Sequence, residues 1–224
     1  MIMASPYECA DVQAACQDVM HPGGLKQTEL AATKAGFSAD DIVLDLGCGK
    51  GSSLRYLRET MNVEAFGVEP SGGLASHAQP YVAVAQASHL PFGDETLDGV
   101  LAECVLSLVE QRDRALSDIL RVLRPGGRLV MSDVILKAER DRMLDSAKGC
   151  IRGAMPLDHI VNGLQHVGFR VLLAEDHSRL LADFAAHLIF AGVSLTTFFP
   201  VECGQHTNAK VGYGLVVAEK SESV

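Results

Sequence analysis

The sequence predicts an α/β fold, a β-sheet covered by helices on both faces. Three observations carry this. Short apolar runs alternate with helical periodicities from residue 41 onward. The first run ends in a glycine-rich turn that opens directly into a helical pattern. The 224 residues, 48% of them hydrophobic, supply one substantial core and suit one domain over residues 1–224.

Residues 1–40 read as an N-terminal helical cover segment, broken by HPGG at 21–24 and continued by the helical stretch QTELAATKAGF. DIVLDLG at 41–47 is an apolar strand, and a helix follows over about 52–60. VEAFGVEP at 63–70 is the second strand, and residues 72–78 form a short helix despite the glycine pair at its start. YVAVAQA at 81–87 and LDGVLAE at 97–103 are the third and fourth strands. RALSDILRVL is an amphipathic helix ended by Pro125 and the Gly126–Gly127 pair, before a fifth strand at 128–134. Residues 135–165 hold helical pieces broken near Gly153 and Pro156. FRVLLAED at 169–176 is the sixth strand, 178–191 is an apolar helix, and Gly212 to Ala218 is the seventh strand.

The formal net charge of −9 lacks the basic balance that a double-stranded nucleic-acid binder needs against phosphates. A small-molecule substrate is the better expectation. No apolar run approaches the ~20 residues of a membrane span. MIMASPYECA has neither the basic opening nor the long apolar core of a signal peptide, so the expected location is cytoplasmic. A homodimer is compatible with these features. Six cysteines, at 9, 16, 48, 104, 150 and 203, are too sparse for a disulfide-built fold and are expected to be mostly reduced.

The sharpest chemical signal is Asp45-Leu46-Gly47-Cys48-Gly49-Lys50-Gly51. Glycines at a strand-to-helix turn let a ligand approach the backbone, and the following helix directs N–H groups toward the loop. Glu69 ends the second strand 20 residues after Gly49, where a carboxylate can accept both hydroxyls of a ribose. That pairing alone fits NAD as well as S-adenosylmethionine. After the third strand, polar side chains and N–H groups of the turn at 86–92 can meet an adenine edge, with Leu90 or Leu46 flanking its face. Asp98 begins the fourth strand, away from the carboxyl ends where ligands bind, and reads as structural.

VLDLGCGKG at 43–51, GVEPS at 67–71, ASHLPFGDETLDGV at 87–100 and RVLRPGGRLVMSDV at 121–134 resemble the class I S-adenosylmethionine-dependent methyltransferases. The resemblance implies a Rossmann-like three-layer sandwich with a seven-stranded mixed sheet, its last strand antiparallel and inserted beside the sixth. It implies S-adenosylmethionine as cofactor. Gly47, Gly49 and Gly51 would lie beneath its methionine part, Asp45 would support that part, and Glu69 would hold the ribose. Ser71 would lie on the ribose side or cap the next helix. Ser88 and His89 would stand near adenine, and Glu103 would lie between cofactor and substrate. The ASHLPF and LRPGG segments fit an NAD enzyme much less well.

Methyl transfer requires an aligned nucleophile, exclusion of water and, for oxygen or nitrogen acceptors, a base. The carboxyl ends of the strands offer Glu103, Asp133 and His177 as catalytic candidates, His177 being the most natural base; Asp133 has a bracing role as its alternative. No metal site is expected.

ECVLSLV at 103–109, SDV at 132–134 and GCIRGAM at 149–155 further resemble arsenite methyltransferases, in which thiols hold trivalent arsenic. Cys150 would correspond to one such thiol and Cys203 to another, forming a shared thiophilic site. The further family cysteine before the first strand is absent here, and Cys9 or Cys16 would have to replace it. Arsenite methylation is therefore one alternative, and a non-catalytic S-adenosylmethionine-binding protein another. HPGGLKQTELA at 21–31 resembles an N-terminal segment of uncharacterised bacterial members of the superfamily, and could cover the cofactor with Tyr7 or Thr28 at its methionine end. Residues 1–28, 135–165 and 178–205 are expected to form a largely helical lid, with Met143, Met155, Leu188, Ile189 and Phe190 available to pack or exclude water.

Overall fold

A computed structural model describes residues 10–16, 19–137, 149–194 and 210–221. Tyr7, Cys9, Met143 and Cys203 lie outside the described residues.

The first parallel strands are β1 (Ile42–Leu46), β2 (Glu64–Val68), β3 (Val82–Ala83), β4 (Leu97–Glu103) and β5 (Leu123–Leu136). β6 (Met155–Pro156), β7 (Phe169–Asp176) and β8 (Val211–Lys220) complete the sheet. The strand order is β3-β2-β1-β4-β5-β8-β7, with β6 on β5 off this path. The last strand, β8, runs antiparallel to both β5 and β7, as expected. The count is eight rather than seven because β6 pairs with Ile135 and Leu136 of β5, beyond the point where β4 ends opposite Ser132. Two residues of strand satisfy an edge that β4 has left.

Helices α1 (Ala10–Ala15), α2 (Gly24–Ala35) and α3 (Ser52–Glu59) precede the short α4 (Gly72–Ala75). α5 (Arg112–Val122), α6 (Leu157–Val167) and α7 (Ser178–Phe190) follow. Strand periodicity divides the core into two layers. Leu44, Val100, Leu129 and Val216 face one way, against Leu116 and Ile119 of α5 and Leu164 of α6. Val43, Leu101, Val130 and Leu215 face the other way, against Ala31 and Ala35 of α2 and Leu57 of α3. This is the three-layer arrangement that the alternating pattern implies.

Some boundaries differ from the sequence reading. β3 keeps only two of its seven expected residues, since Gln86 and His89 already form an isolated bridge in the following turn. β5 begins at Leu123, opposite Leu97, so Pro125–Gly127 falls inside the strand at a register shift instead of ending the helix as a free turn. Asp98 is structural: its Oδ2 accepts the Ile42 N–H at 2.9 Å and its Oδ1 meets Arg124 Nη1 at 2.7 Å, tying β4 to its neighbours. In the N-terminal segment, Val12 of α1 packs with Leu188 of α7, and His187 Nε2 lies 2.7 Å from the Ala15 carbonyl oxygen.

Candidate functional site

The carboxyl ends of β1, β2 and β4 open into a cavity of about 450 Å³. Parallel strands leave such a crevice where the connections diverge to opposite faces of the sheet. The loop after β1 forms its floor. Gly47 N–H and Cys48 N–H both reach the Val68 carbonyl, at 2.7 and 3.2 Å, so the loop folds back over the end of β2. Gly47 has φ +69°, and a Cβ there would lie 2.5 Å from Val105 Cγ2. Gly51 has φ +79° where α3 begins, and its Cβ would lie 2.6 Å from Ala78 Cβ. Both positions therefore need glycine for conformation and for space. Cys48 is a packing residue, buried against Gly67, with burial as the main cause that pushes its thiol up.

Three carboxylates converge on this floor from three neighbouring strands: Asp45, Glu69 and Glu103. Glu69 is buried; its Oε2 accepts Gly49 N–H at 3.0 Å and its Oε1 accepts Ser71 N–H at 2.8 Å. The Ser71 hydroxyl in turn accepts Leu74 N–H as the cap of α4, so both readings of Ser71 meet in one residue: it caps a helix and lines the cavity. Asp45 accepts the Leu54 N–H at the start of α3, while its Oδ2 has no hydrogen-bond partner among the described residues. Burial, then the charges of Glu103 and Glu69, push the Asp45 carboxyl well above the usual carboxylate range. Glu103 Oε1 is likewise buried without a partner among the described residues. A buried carboxyl oxygen without a donor is costly, so the pair marks a place for a donor group such as the cationic end of a ligand.

Glu103 Oε2 is the opposite case. Thr28 Oγ1 and Ser53 Oγ each donate to it at 2.9 Å, and His21 Nε2 lies 3.3 Å away. Thr28 was anticipated at the methionine end of the site. His21 and Ser53 were not, because their roles arise only when α2, α3 and β4 are brought together. The one signal in the sequence was the HPGG break itself, which places His21 at a sharp entry to α2.

The residues expected near adenine divide between the cavity and the core. Ser88 and Leu46 line the cavity with Gln86 and Ala87. His89 is not among the lining residues; its N–H donates to the Gln86 carbonyl at 3.0 Å in the bridged turn. Leu90 is buried in the core, and its N–H donates to Asp118 at 2.6 Å.

Of the catalytic candidates, only Glu103 lines this cavity. Asp133 is buried beneath the turn after β4, where it accepts the Ser107 N–H at 2.8 Å and the Ser107 hydroxyl at 2.6 Å. Burial is the main cause raising its pKa. His177 precedes α7, with Nε2 2.9 Å from Glu175 Oε2; Lys34 and then His177 draw the Glu175 pKa down.

Cys104 follows at the end of β4 with φ +56° and lines the cavity. Its Sγ lies 3.5 Å from the Tyr213 hydroxyl, which donates to Ser132 Oγ at 2.9 Å. Burial, then Asp133 and Cys150, push its thiol well up. Cys150 is buried with Val134, Leu136 and Ile151. Its expected partner Cys203 lies outside the described residues.

A family model described as a methyltransferase domain matches residues 44–131. An O-methyltransferase of Aspergillus sclerotiorum is 33% identical over 91% of this chain and 85% of its own. An arsenite methyltransferase of Halobacterium salinarum is 30% identical over 62% of this chain and 39% of its own. The chain spans about half the length of the first curated relatives it matches, between 39% and 59%. Among solved structures, phosphoethanolamine N-methyltransferase 2 of Haemonchus contortus, in complex with S-adenosyl-L-methionine, shares the fold. Its TM-score is 0.77 at 16% identity, over 95% of this chain and 56% of that one.

Proposed function

Because the chain belongs to the class I S-adenosylmethionine-dependent methyltransferases, we propose that it transfers a methyl group from S-adenosylmethionine to a small-molecule acceptor held beside Glu103 and Cys104. The observation that carries this reading is a pair of buried oxygens without a hydrogen-bond partner among the described residues, Asp45 Oδ2 and Glu103 Oε1, on two residues that line the cavity. They fit a ligand with a cationic end. The same carboxylates, with Glu69 beside them, repel a pyrophosphate and so disfavour NAD.

The residues present fit the cofactor. Gly47 and Gly51 leave the loop without the side chains that would collide with Val105 and Ala78. Asp45 and Glu103 would hold the methionine end, Glu69 and Ser71 the ribose, and Leu46 and Ser88 the adenine side. The bound cofactor supplies an electrophilic methyl group on a sulfonium. Glu103 ends β4 next to Cys104, and Cys104, Val105, Leu108 and Val109 would make an apolar wall that limits water there. Asp133 and His177 brace the structure around the site: Asp133 fixes the turn that carries this wall, and His177 joins β7 to α7.

Arsenite methylation is a second reading. One observation favours it: a charge on Cys150 is near enough to raise the pKa of Cys104, and Cys104 lines the cavity. The acceptor's identity is otherwise open. No helix among the described residues is long and apolar enough to cross a membrane, and the buried, unbridged cysteines Cys16, Cys48, Cys104 and Cys150 suit a reducing cytoplasm.

A broad acceptor screen with methyl-labelled S-adenosylmethionine tests the reading. Label should pass to at least one class of small molecule, and arsenite is included as one acceptor. Cofactor binding with no transfer to any acceptor would assign the chain to non-catalytic binding instead.

A further inference from the structure

Glu103 is held in an asymmetric way that its own side chain does not explain. The terminal torsion of a glutamate is broad and nearly two-fold, so either carboxylate oxygen can face a given direction at little cost. Here one oxygen has three polar neighbours and the other has none among the described residues. Thr28 and Ser53 each have a single hydroxyl proton, and both protons go to Oε2. The 3.2 Å approach of these two hydroxyls to each other is then a packing contact. His21 Nε2 stands 3.3 Å from both Ser53 Oγ and Glu103 Oε2, so a proton on Nε2 adds a third donor to the cluster. All four residues are buried.

Two of the three neighbours come from the N-terminal segment, outside the matched region 44–131. That segment also lies across the glycine loop. Val19, Met20 and His21 line the cavity, and a Cβ on Gly49 would be 3.6 Å from Met20 Cε.

We propose that Thr28 and His21, together with Ser53, are positioning residues that pin Glu103 Oε2 and thereby hold Oε1 toward the cationic end of the bound cofactor. The inference rests on the cofactor reading above. It gives HPGGLKQT at 21–28 a defined role: the segment sets cofactor affinity through a carboxylate 75 residues away from Thr28. The arrangement leaves a buried carboxyl oxygen without a donor among the described residues, and a cationic ligand would meet that demand.

Calorimetric titration with S-adenosylmethionine tests this on the full chain. Thr28→Val keeps the shape and removes the donor, and should weaken binding by about tenfold, the size expected for a hydrogen bond to a charged group. Thr28→Ser restores the hydroxyl and should bind within about twofold of the unmodified protein. In a Glu103→Gln background the same Thr28→Val change should alter affinity by less than about twofold, because the group it positions has gone. Ser53→Ala, measured with and without Glu103→Gln, gives the same coupling from a different element should Thr28→Val fail to fold. Full additivity of the Thr28 or Ser53 loss with that of Glu103 would overturn the proposal. So would unchanged affinity in both single variants while the unmodified protein binds. An unmodified protein that does not bind S-adenosylmethionine removes the cofactor reading itself, and this inference with it.

Discussion

Glu69 accepts the backbone N–H of Gly49 at 3.0 Å, so the carboxylate that ends β2 fastens the glycine loop that follows β1. Its second oxygen accepts the N–H of Ser71. Glu69→Ala should therefore weaken S-adenosylmethionine binding by about tenfold or more, through lost ribose contacts and a loosened loop. Glu69→Gln keeps one acceptor oxygen and should fall between the two. Calorimetry gives the affinities, and circular dichroism should show the core intact.

Gly47 makes a separate demand. A side chain there meets both a positive φ of 69° and the Val105 methyls. Gly47→Ala should cost about 1–3 kcal/mol in urea unfolding. Adding Val105→Ala should recover part of that loss by opening space, leaving about 1–2 kcal/mol for the left-handed backbone. No recovery would mean that the collision is not what excludes alanine.

The raised pKa of Asp45 predicts a pH dependence whose sign is fixed. An acid whose folded pKa lies above its ordinary 3.8 contributes stability that is present below that value and lost as pH rises through the folded pKa. Without ligand, the protein should lose stability relative to Asp45→Asn across this window as pH rises. A cationic ligand favours the carboxylate, so binding in the same window should release a proton and tighten with rising pH. Binding heats compared in buffers of different ionisation enthalpy measure the release, which Asp45→Asn should diminish.

Asp133 and His177 separate bracing from catalysis. Asp133→Ala leaves the buried Ser107 N–H without its acceptor and should cost about 1–3 kcal/mol in thermal or urea unfolding. His177→Gln breaks a pair with a half-buried Glu175 and should change stability by about 1 kcal/mol or less. Methyl transfer should persist in His177→Gln; a fall of about 100-fold or more with cofactor affinity unchanged would identify His177 as the base instead.

The sheet was legible in the sequence because its inner strands bury both faces and read as apolar runs; Leu97–Glu103 was located to the residue, as was the half-buried edge strand Phe169–Asp176. The glycine loop was legible because positive φ demands a particular residue type. Less was visible where tertiary contact decides. β6 exists because β4 leaves an edge of β5 open, and nothing in Met155–Pro156 signals that alone. His177 sits near the cleft in sequence order, but its ring pairs with Glu175 two residues away and is not among the residues lining the cavity. His21, Thr28, Ser53 and Glu103 lie on separate elements, and no spacing rule links them. Their cluster forms only through packing of α2 and α3 over the end of β4.

The most direct test of the central claim is a calorimetric titration of the purified chain with S-adenosylmethionine, S-adenosylhomocysteine and NAD. The two adenosyl compounds should bind one-to-one and compete, with affinity reduced by Glu69→Ala, while NAD should give no heat of binding. Binding of NAD at this site, or no binding of either adenosyl compound to folded protein, would contradict the account.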